Sequence, residues 1–301
     1  MILVCGDIIL DETREYKSMR LSQEAPLPIL NLYKKKFFLG GASNVANNIK
    51  KLSSKVFLLG VVGKDQKGFE IKRLLKKNKI ENKLIVDKRY KTSHKKRGYL
   101  DNKMIFRIDN DNSKKIFTSH GQLLLKFVKK NIKNFQLLVI SDYDKGFFNR
   151  EFIKKISTIF RKNRKLIITN PKKRDVTFYN HSNILVPNEK EFNNFFEKKL
   201  NLSKKLQIVF NKTKDIEHLI VTRGYKNVLY ANKNKKLKYL KVNKTQSIDV
   251  TGASDTFIAT LSVYINNRKN IYFATKKAII ASKKVIKKKY TSFVSLREIE
   301  K

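Results

Sequence analysis

The strongest constraint in this sequence is an alternation of short apolar runs with longer amphipathic segments. The apolar runs cover residues 2–5, 56–62, 137–140, 166–169 and 219–222. The segments with helical spacing cover residues 42–52, 68–77, 121–130, 151–160, 189–197, 253–265 and 271–286. Strands that are apolar along their whole length are buried on both faces, and the intervening helices cover those faces. The pattern therefore predicts an α/β fold with a mostly parallel sheet.

Two segments break this rhythm, because residues 27–33 and 97–109 alternate apolar and polar side chains. A period of two is typical of antiparallel strands that are exposed on one face. We expect these strands to form a small β-appendage on the main domain. The sequence has no linker rich in glycine, serine or proline and no internal repeat, so a single unit over residues 1–301 is favoured over two independent domains.

The chain carries 68 lysine and arginine residues against 25 aspartate and glutamate residues, a formal net charge of +43. Such an excess suggests nucleic acid or an anionic membrane as a partner. However, only 13 of the basic residues are arginine, the side chain preferred for bidentate phosphate and base contacts. Lysine and the 28 asparagines also share A/T-rich codons. We therefore favour a solvated basic surface over nucleic-acid binding, with polyanion binding as the alternative.

The cell compartment follows from several simpler features. No apolar run approaches the roughly 18–20 residues of a membrane-spanning helix. The first residues lack the basic region and the small-residue cleavage site of a signal peptide. The single cysteine, Cys5, excludes a disulfide framework, and the four histidines have no metal-ligand spacing. These features predict a cytoplasmic protein with no membrane partner.

Gly40 and Gly41 lead through small residues into a predicted helix. Paired glycines let the backbone approach a ligand closely, and a helix N-terminus presents free N–H groups. Asn44 can both donate and accept hydrogen bonds, as recognition of a sugar hydroxyl requires. The alternative is an ordinary tight turn at the start of a helix.

A second small-residue turn, residues 249–252, opens another predicted helix and puts Asp255 in its first turn. Amides at that helix end could hold a phosphate whose charge grows during transfer. Asp255 could accept a proton from an attacking hydroxyl. The alternative is that Asp255 only complements the helix dipole, which is worth about 0.3–1 kcal/mol.

Two further polar segments follow strand-like runs. Asn188 to Glu191 come after residues 184–187, where a carboxylate and an amide could hold Mg²⁺ near phosphates, although the same residues are typical of a helix start. Residues 141–146 (SDYDKG) follow the run at 137–140. Ligands of open α/β sheets bind beyond the carboxyl ends of strands, and the alternative here is a plain polar loop.

Common nucleotide and hydrolase motifs are missing. Gly63-Lys64 is followed by Asp65, so the P-loop pattern is absent, and Gly6 is followed by Asp7, so the dinucleotide-binding pattern is absent. Neither G-x-S-x-G nor H-E-x-x-H occurs. The sequence therefore gives no support for a P-loop NTPase, a classical dinucleotide-binding domain or these hydrolase classes.

The order of the motifs is more specific than any one of them. An early Gly-Gly-x-x-Asn-x-Ala, a central Asn-x-x-Glu and a late Asp-x-x-Gly-x-x-Asp-Thr-Phe resemble the ribokinase (PfkB) carbohydrate kinase family along nearly the whole chain. Within the family, the chain is most similar to the D-glycero-D-manno-heptose-7-phosphate kinases of ADP-heptose and lipopolysaccharide synthesis. The matching segments are GDIILDE, SQEAPLPIL, GGASNVANNI, FRID, SDYDKG, NPK, VPNEKEF and DVTGASDT.

This resemblance implies a ribokinase-like three-layer α/β/α fold with a small β-sheet lid through which the protein would form a homodimer. It implies phosphoryl transfer from ATP to the anomeric hydroxyl of heptose 7-phosphate, with Mg²⁺ and with a monovalent cation left open. Asp255 would be the catalytic base, and the amides of Gly252, Ala253 and Ser254 would be the anion hole.

The resemblance also implies two groups of binding residues. Those for ATP and Mg²⁺ are Asn188, Glu189, Lys190, Glu191, Thr222, Arg223 and Gly224, with Glu191 reaching the metal through water. Those for the sugar are Asp11, Gly40, Gly41 and Asn44, with Arg107 and Lys145 as candidates for its phosphate. Because the chain ends at Lys301, we expect no C-terminal nucleotidylyltransferase domain.

Three departures from the family pattern affect these expectations. Ser254 replaces a glycine of the anion hole, and it would be strained there if that position needed a positive φ. Asn170 replaces an aspartate, and residues 276–292 lack the small, glycine-rich pattern of the subgroup. The alternatives are a kinase for another sugar or sugar phosphate, an inactive homologue, or a non-catalytic basic binding protein on the kinase scaffold.

Overall fold

The computed structural model describes residues 1–101, 103–111, 118–198, 200–234, 236–243 and 245–301, with Met19 described by its backbone alone. The strands are β1 (Ile2–Gly6), β2 (Ile8–Leu21), β3 (Pro28–Gly41), β4 (Val56–Gly63), β5 (Glu81–Asp87), β6 (Ser93–Leu100), β7 (Lys103–Asn110), β8 (Leu137–Ser141), β9 (Leu166–Asn170), β10 (Ile184–Leu185), β11 (His218–Thr222), β12 (Asn227–Asn232) and β13 (Leu237–Lys241). The α-helices are α1 (Ala42–Lys51), α2 (Gln66–Lys77), α3 (Thr118–Asn131), α4 (Arg150–Lys162), α5 (Glu189–Asn193), α6 (Leu202–Lys212), α7 (Ala253–Asn266), α8 (Ile271–Val285) and α9 (Leu296–Glu300).

The main sheet has the strand order β13-β12-β11-β10-β9-β8-β1-β4-β5 within the described residues. Its pairs from β5 through β11 are parallel, and the pairs β11–β12 and β12–β13 are antiparallel. In β1, Ile2 and Val4 pack into one apolar cluster, whereas Leu3 and Cys5 pack into the other. Successive side chains of a strand point to opposite faces, so this continuous apolar run is buried on both sides. The predicted mostly parallel sheet is confirmed.

The two apolar clusters define a layer of helices on each face of this sheet. Apolar side chains of α1, α2, α7, α8 and α9 form one cluster, and those of α3, α4, α5 and α6 form the other. This arrangement confirms the predicted three-layer α/β/α architecture. The predicted helix at 189–197 is too long, because α5 ends at Asn193. Beyond that end, the rings of Phe195 and Phe196 turn back to pack on Phe192, with centroids 6.3 and 5.5 Å away.

A second, smaller sheet has the order β3-β2-β6-β7. The strands β2 and β3 form a long antiparallel hairpin that pairs Ile8 with Gly41 at its base and Leu21 with Pro28 near its tip. Of the predicted segment 27–33, all but the first residue lies in the outer part of β3. The segment 97–109 covers parts of β6 and β7, with residue 102 outside the described residues. The sequence did not predict β2 as a strand, nor that β3 continues to Gly41.

Among the described residues, no helix is both long enough and apolar enough to cross a bilayer.

Candidate active site

A buried carboxylate lies where the N-terminal ends of α1 and α7 meet. Asp255, in the first turn of α7, is only 6% exposed. Its Oδ2 accepts a hydrogen bond from Nδ2 of Asn44 at 2.6 Å, and its Oδ1 accepts one from the hydroxyl of Tyr143. Burial raises the pKa of Asp255 to about 6, although both hydrogen bonds oppose that rise. The group is therefore ionised at neutral pH but protonates readily in mild acid.

The turn before α7 depends on one glycine. Gly252 has φ 79°, a left-handed conformation that glycine adopts without strain, and a side chain there would lie 3.1 Å from Nδ2 of Asn44. Ser254 lies inside α7 with a negative φ, so the serine at this position is not strained. The Ala253 N–H donates to the carbonyl of Val250 at a long 3.3 Å. The amides at Gly252 and Ser254 are the other two members of the predicted anion hole.

The glycine pair at the end of β3 makes room for Asp11 of β2. A side chain at Gly40 would come within 2.7 Å of Oδ2 of Asp11, and one at Gly41 within 2.4 Å of the Asp7 carbonyl. Gly41 also has φ 57°, so glycine is needed there for conformation as well as for space. The predicted sugar-binding residues Asp11, Gly40 and Gly41 therefore lie together at the base of the small sheet.

One face of the small sheet presents cations beside Asp11. Arg97 Nη1 lies 3.0 Å from Oδ1 of Asp11. Lys95 is paired in register with Asp11 on one side and with Asp109 on the other. Its ammonium lies 5.5 Å from the centre of the Tyr143 ring, and burial lowers its pKa. The positive charge of Lys95 in turn lowers the pKa of Asp255, which connects this face to the buried carboxylate.

The two predicted phosphate-binding cations lie near the group formed by Asp11, Lys95 and Arg97. Arg107 is paired in register with Arg97 and holds Asp109 with two hydrogen bonds, one of them 2.7 Å long. That ion pair raises the pKa of Arg107. Lys145 forms an ion pair with Asp111. Both cations therefore lie near Asp11, Lys95 and Arg97, and each already has an acidic partner.

The loop that carries Tyr143 is held by a buried acid that the sequence did not single out. The Asp7 carboxylate accepts hydrogen bonds from the backbone N–H groups of Tyr143 at 2.8 Å and Phe147 at 3.0 Å. Burial and the nearby charge of Asp142 raise the pKa of Asp7 to about 6. Asp7 thereby fixes the position from which Tyr143 reaches Asp255.

The segment that follows β10 forms a second polar group. Asn188 caps α5 by accepting from the Glu191 N–H at 2.9 Å, and the Glu191 carboxylate accepts from the Asn188 N–H at 2.9 Å. The other oxygen of Glu191 lies 2.9 Å from Nζ of Lys172. A β-bridge joins Asn188 to Thr222 at the end of β11. The helix-start interpretation of this segment is thus correct, and it leaves Glu191 beside the ends of the central strands.

The remaining predicted nucleotide residues are divided between this group and the surface. Arg223 Nε donates to Glu189 at 3.0 Å, and this contact lowers the pKa of Glu189. Gly224 has φ 60° at the turn after β11. Lys190 is exposed on α5.

A cavity of about 490 Å³ joins the two groups. Six of the predicted residues line it, namely Asn188, Thr222, Arg223, Gly224, Ala253 and Ser254. Its apolar walls include Val228, Val242, Val250, Ile279 and Ile286. A largely apolar cavity whose lining includes a helix N-terminus suits a nucleotide, because the base can pack on the apolar side chains and the phosphates can meet the amides.

The carboxylates near this cavity suit a magnesium ion whose other ligands come mostly from phosphates. Burial raises the pKa of Asp142, and the negative charge of the nearby Glu191 adds to that rise. The hydroxyl of Tyr179 donates to Oδ2 of Asp142 at 2.6 Å and leaves the carboxylate further acceptor capacity. Among the described residues no three acidic, histidine or cysteine side chains group as a metal cage. One or two carboxylates are what Mg²⁺ uses when phosphates and water supply its other ligands.

A match to a family model identifies the class of protein to which this site belongs. The model for the pfkB family of carbohydrate kinases matches residues 4–298, so the chain belongs to that family. The predictions of the family and of a carbohydrate kinase are confirmed.

Curated relatives match along nearly the whole chain. Bifunctional protein HldE from Helicobacter pylori strain J99 is 36% identical over 303 aligned positions, which cover 99% of this chain and 65% of the relative. The protein of the same name from Sulfurimonas denitrificans is 30% identical, over 99% of this chain and 63% of the relative. The chain thus spans just under two thirds of the length of these relatives.

Solved structures agree on the fold. Ribokinase from Giardia lamblia has a TM-score of 0.76 at 18% identity, covering 99% of this chain and 98% of that one. Phosphofructokinase-2 from Escherichia coli, in complex with potassium, has a TM-score of 0.80 at 14% identity, covering 100% and 97%. These likenesses establish the ribokinase-like fold.

Proposed function

We propose that this protein transfers the γ-phosphoryl group of ATP to the anomeric hydroxyl of D-glycero-D-manno-heptose 7-phosphate. The observation that carries the proposal is the buried Asp255 carboxylate at the N-terminus of α7, with a cationic face of the small sheet beside it. The identity of 30–36% to proteins named HldE, and the segment-by-segment resemblance to heptose-7-phosphate kinases, support this substrate.

In this reaction the acceptor oxygen attacks the γ-phosphorus and the bond from that phosphorus to the bridging β–γ oxygen breaks. The acceptor hydroxyl gives its proton to Asp255, whose pKa of about 6 leaves it ionised at neutral pH. The products are ADP and the 1,7-bisphosphate. Positioning and charge stabilisation, rather than covalent chemistry by the protein, carry most of such a reaction.

The amides at Gly252 and Ser254 would stabilise the transferred group, joined by that of Ala253 once it gives up its long bond to Val250. Glu191 and Asp142 would hold Mg²⁺, directly or through water. When bound, Mg²⁺ neutralises the charge that develops on the phosphate oxygens. The cavity behind the amides would hold the adenine and ribose of ATP.

Asp11 and Asn44 would bind hydroxyl groups of the sugar. The phosphate at the far end of the sugar needs cations, and Lys95 and Arg97 join Arg107 and Lys145 as candidates because they lie on the face beside Asp11. Arg97 and Arg107 each have an acidic partner, whereas the lowered pKa of Lys95 reflects a buried ammonium that an anion would stabilise.

The small sheet would act as the lid of the sugar site and as a dimer interface. Its tip exposes Leu21, Leu27, Leu32 and Tyr33, an unusual concentration of apolar side chains for a solvated surface. We place the reaction in the cytoplasm, in ADP-heptose synthesis for lipopolysaccharide.

The test is ATP-dependent turnover of D-glycero-D-manno-heptose 7-phosphate and of the unphosphorylated heptose, with Mg²⁺. We expect turnover of the 7-phosphate only, and its loss in a folded Asp255→Asn variant. A folded wild-type protein that turns over neither sugar contradicts the proposal, and other sugar phosphates would then be screened.

A charge variant tests the phosphate subsite. Lys95→Gln should raise KM for the 7-phosphate by about 10-fold or more, since hydrogen bonds to charged groups contribute about 1.5–3 kcal/mol. Lys96→Gln is the matched control, because adjacent residues of β6 point to opposite faces. Equal effects of the two substitutions would count against this assignment of the subsite.

A further inference from the structure

The helices α1 and α7 meet through a chain of four buried polar side chains, none more than 6% exposed: Thr256, Asn48, Asn44 and Asp255. The hydroxyl of Thr256 donates to Oδ1 of Asn48 at 3.1 Å, and Nδ2 of Asn48 donates to Oδ1 of Asn44 at 3.1 Å. The last hydrogen bond of the series, 2.6 Å long, runs from Nδ2 of Asn44 to Oδ2 of Asp255. Sequence reasoning singled out Asn44 and Asp255 but neither Asn48 nor Thr256.

One backbone group shows in which direction this series of hydrogen bonds runs. Nδ2 of Asn48 also lies 2.9 Å from the main-chain carbonyl of Asn44. A carbonyl can only accept, so the NH₂ end of the Asn48 amide must face Asn44. The side-chain oxygen of Asn44 then faces that NH₂ group, which leaves the Asn44 N–H groups turned towards Asp255.

We propose that Asn48 and Thr256 are positioning residues that lock the Asn44 amide with its N–H towards the catalytic carboxylate. Neither side chain touches Asp255, and both act through Asn44. The inference rests on the proposed function, in which Asp255 is the base. Without the lock, the Asn44 amide could turn and present its oxygen to Asp255, and two acceptors would then face each other in a buried site.

The lock would act alongside the other groups that face Asp255. Tyr143 donates from the loop after β8, Lys95 contributes a positive charge from β6, and Asp11 contributes a negative charge from β2. Those groups remain in place when Asn48 or Thr256 is changed. A change in the titration of Asp255 in such variants therefore reports on Asn44.

The helix offers a matched control. Thr256→Val removes the hydroxyl that holds Asn48, with little change in shape. Thr260 lies one turn further along α7, is also fully buried, and within the described part of the chain its hydroxyl has no hydrogen-bond partner. Thr260→Val is therefore the same substitution in the same helix without the lock. Thr256→Ser keeps the hydroxyl and should restore wild-type behaviour.

The experiment measures the pKa of Asp255 by ¹³C NMR of protein labelled at the aspartate carboxyl carbons, with the Asp255 signal assigned from Asp255→Asn. We expect Thr256→Val to raise this pKa by up to about 1, the shift for complete loss of the Asn44 hydrogen bond to the charged form, and Thr260→Val and Thr256→Ser to leave it unchanged. Should Thr256→Val fail to fold, Asn48→Asp gives the same test, because an ionised carboxylate cannot donate to Asn44. Asn47→Asp, at the neighbouring position on α1, measures how far the added negative charge alone shifts the pKa of Asp255.

Activity provides the second readout. A rise of about 1 in the pKa lowers kcat/KM for the sugar about 5-fold at pH 6 and less than about 2-fold at pH 8, whereas a merely structural defect lowers it at every pH. The inference is overturned if Thr256→Val leaves the pKa of Asp255 unchanged, or if Thr260→Val shifts it equally. Absence of turnover with a normal NMR response would reject the proposed function alone, since the titration needs no substrate.

Discussion

The hydroxyl of Tyr143 donates a hydrogen bond to Oδ1 of Asp255, across 112 positions of sequence. The pKa of the Tyr143 hydroxyl is raised well above its usual value by burial and by the Asp255 charge, so the tyrosine stays protonated and remains a donor. With Asn44 on the other oxygen, the carboxylate has one donor on each side. These donors keep a buried acid ionised at the pH at which a base is needed.

Removal of the Tyr143 hydroxyl should therefore weaken the base. In Tyr143→Phe we expect the acid limb of the pH profile of kcat/KM to move up by about 1, since a hydrogen bond to the charged form is lost. Tyr264→Phe is the control, because that hydroxyl bonds Glu300 near the C-terminus. An acid limb that stays at its wild-type position in Tyr143→Phe would show that the hydroxyl does not support the base.

Replacement of Asp255, the proposed base, should stop catalysis without loss of the fold. Asp255→Asn should lower kcat by about 10²–10⁴-fold, the usual contribution of general-base assistance, with a far-UV circular dichroism spectrum like that of the wild type. A folded variant that keeps more than about a tenth of wild-type kcat would assign the proton to another acceptor.

The same carboxylate should give activity and stability opposite dependences on pH. Activity requires the ionised form, so kcat/KM should rise with pH through about 6. For stability, the folded-state pKa lies above the usual value of 3.8, so the folded chain binds the proton more tightly. That contribution is complete below 3.8 and is lost as pH rises through about 6.

Urea unfolding at pH 5 and pH 8 measures this contribution. Asp255→Asn cannot titrate, so the free energy of unfolding of the variant relative to the wild type should increase between the two pH values. A difference that stays constant or decreases would mean that Asp255 does not have a raised pKa in the folded protein.

The glycine at the base of the small sheet should matter to the sugar and not to ATP. In Gly40→Ala the new methyl group meets Oδ2 of Asp11 at 2.7 Å, so the carboxylate must move. We expect KM for the sugar to rise about 10-fold or more, the effect of losing a hydrogen bond to a charged group, with KM for ATP nearly unchanged. Gly121→Ala, on α3 across the main sheet, is the control. A parallel rise in both KM values would indicate a general disturbance instead.

Local sequence patterns were sufficient to single out several of the residues that the structure brings together. Gly252 and Asp255 stand out because a small-residue turn before a helix leaves a visible spacing, and Gly40, Gly41 and Asn44 stand out for the same reason. The strain question at Ser254 could not be answered from sequence, since it depends on whether the helix begins before or after that residue. The backbone places the left-handed conformation at Gly252 instead.

The contacts between segments that are distant in sequence could not be predicted from the sequence. Tyr143 lies in a loop that the sequence identified, but only the fold brings its hydroxyl to Asp255. Lys95 and Arg97 are two among 68 basic residues, and nothing in the sequence shows which strand face meets the site. The strand β2 was missed because its last ten residues, from Glu12 to Leu21, mix charged, polar and apolar side chains without a regular spacing.

The hairpin of β2 and β3 is one continuous piece, with its root in the core and its tip in solvent. Ile8 and Leu10 at the root are 1% exposed, whereas Leu21 and Tyr33 further out are 67% and 63% exposed. At about 3.3 Å per residue, the tip lies on the order of 30 Å from Asp11 along the strand. The inner end of the hairpin thus lies at Asp11, the carboxylate proposed to bind the sugar. The exposed apolar tip and the buried Asp11 are therefore carried by the same pair of hydrogen-bonded strands.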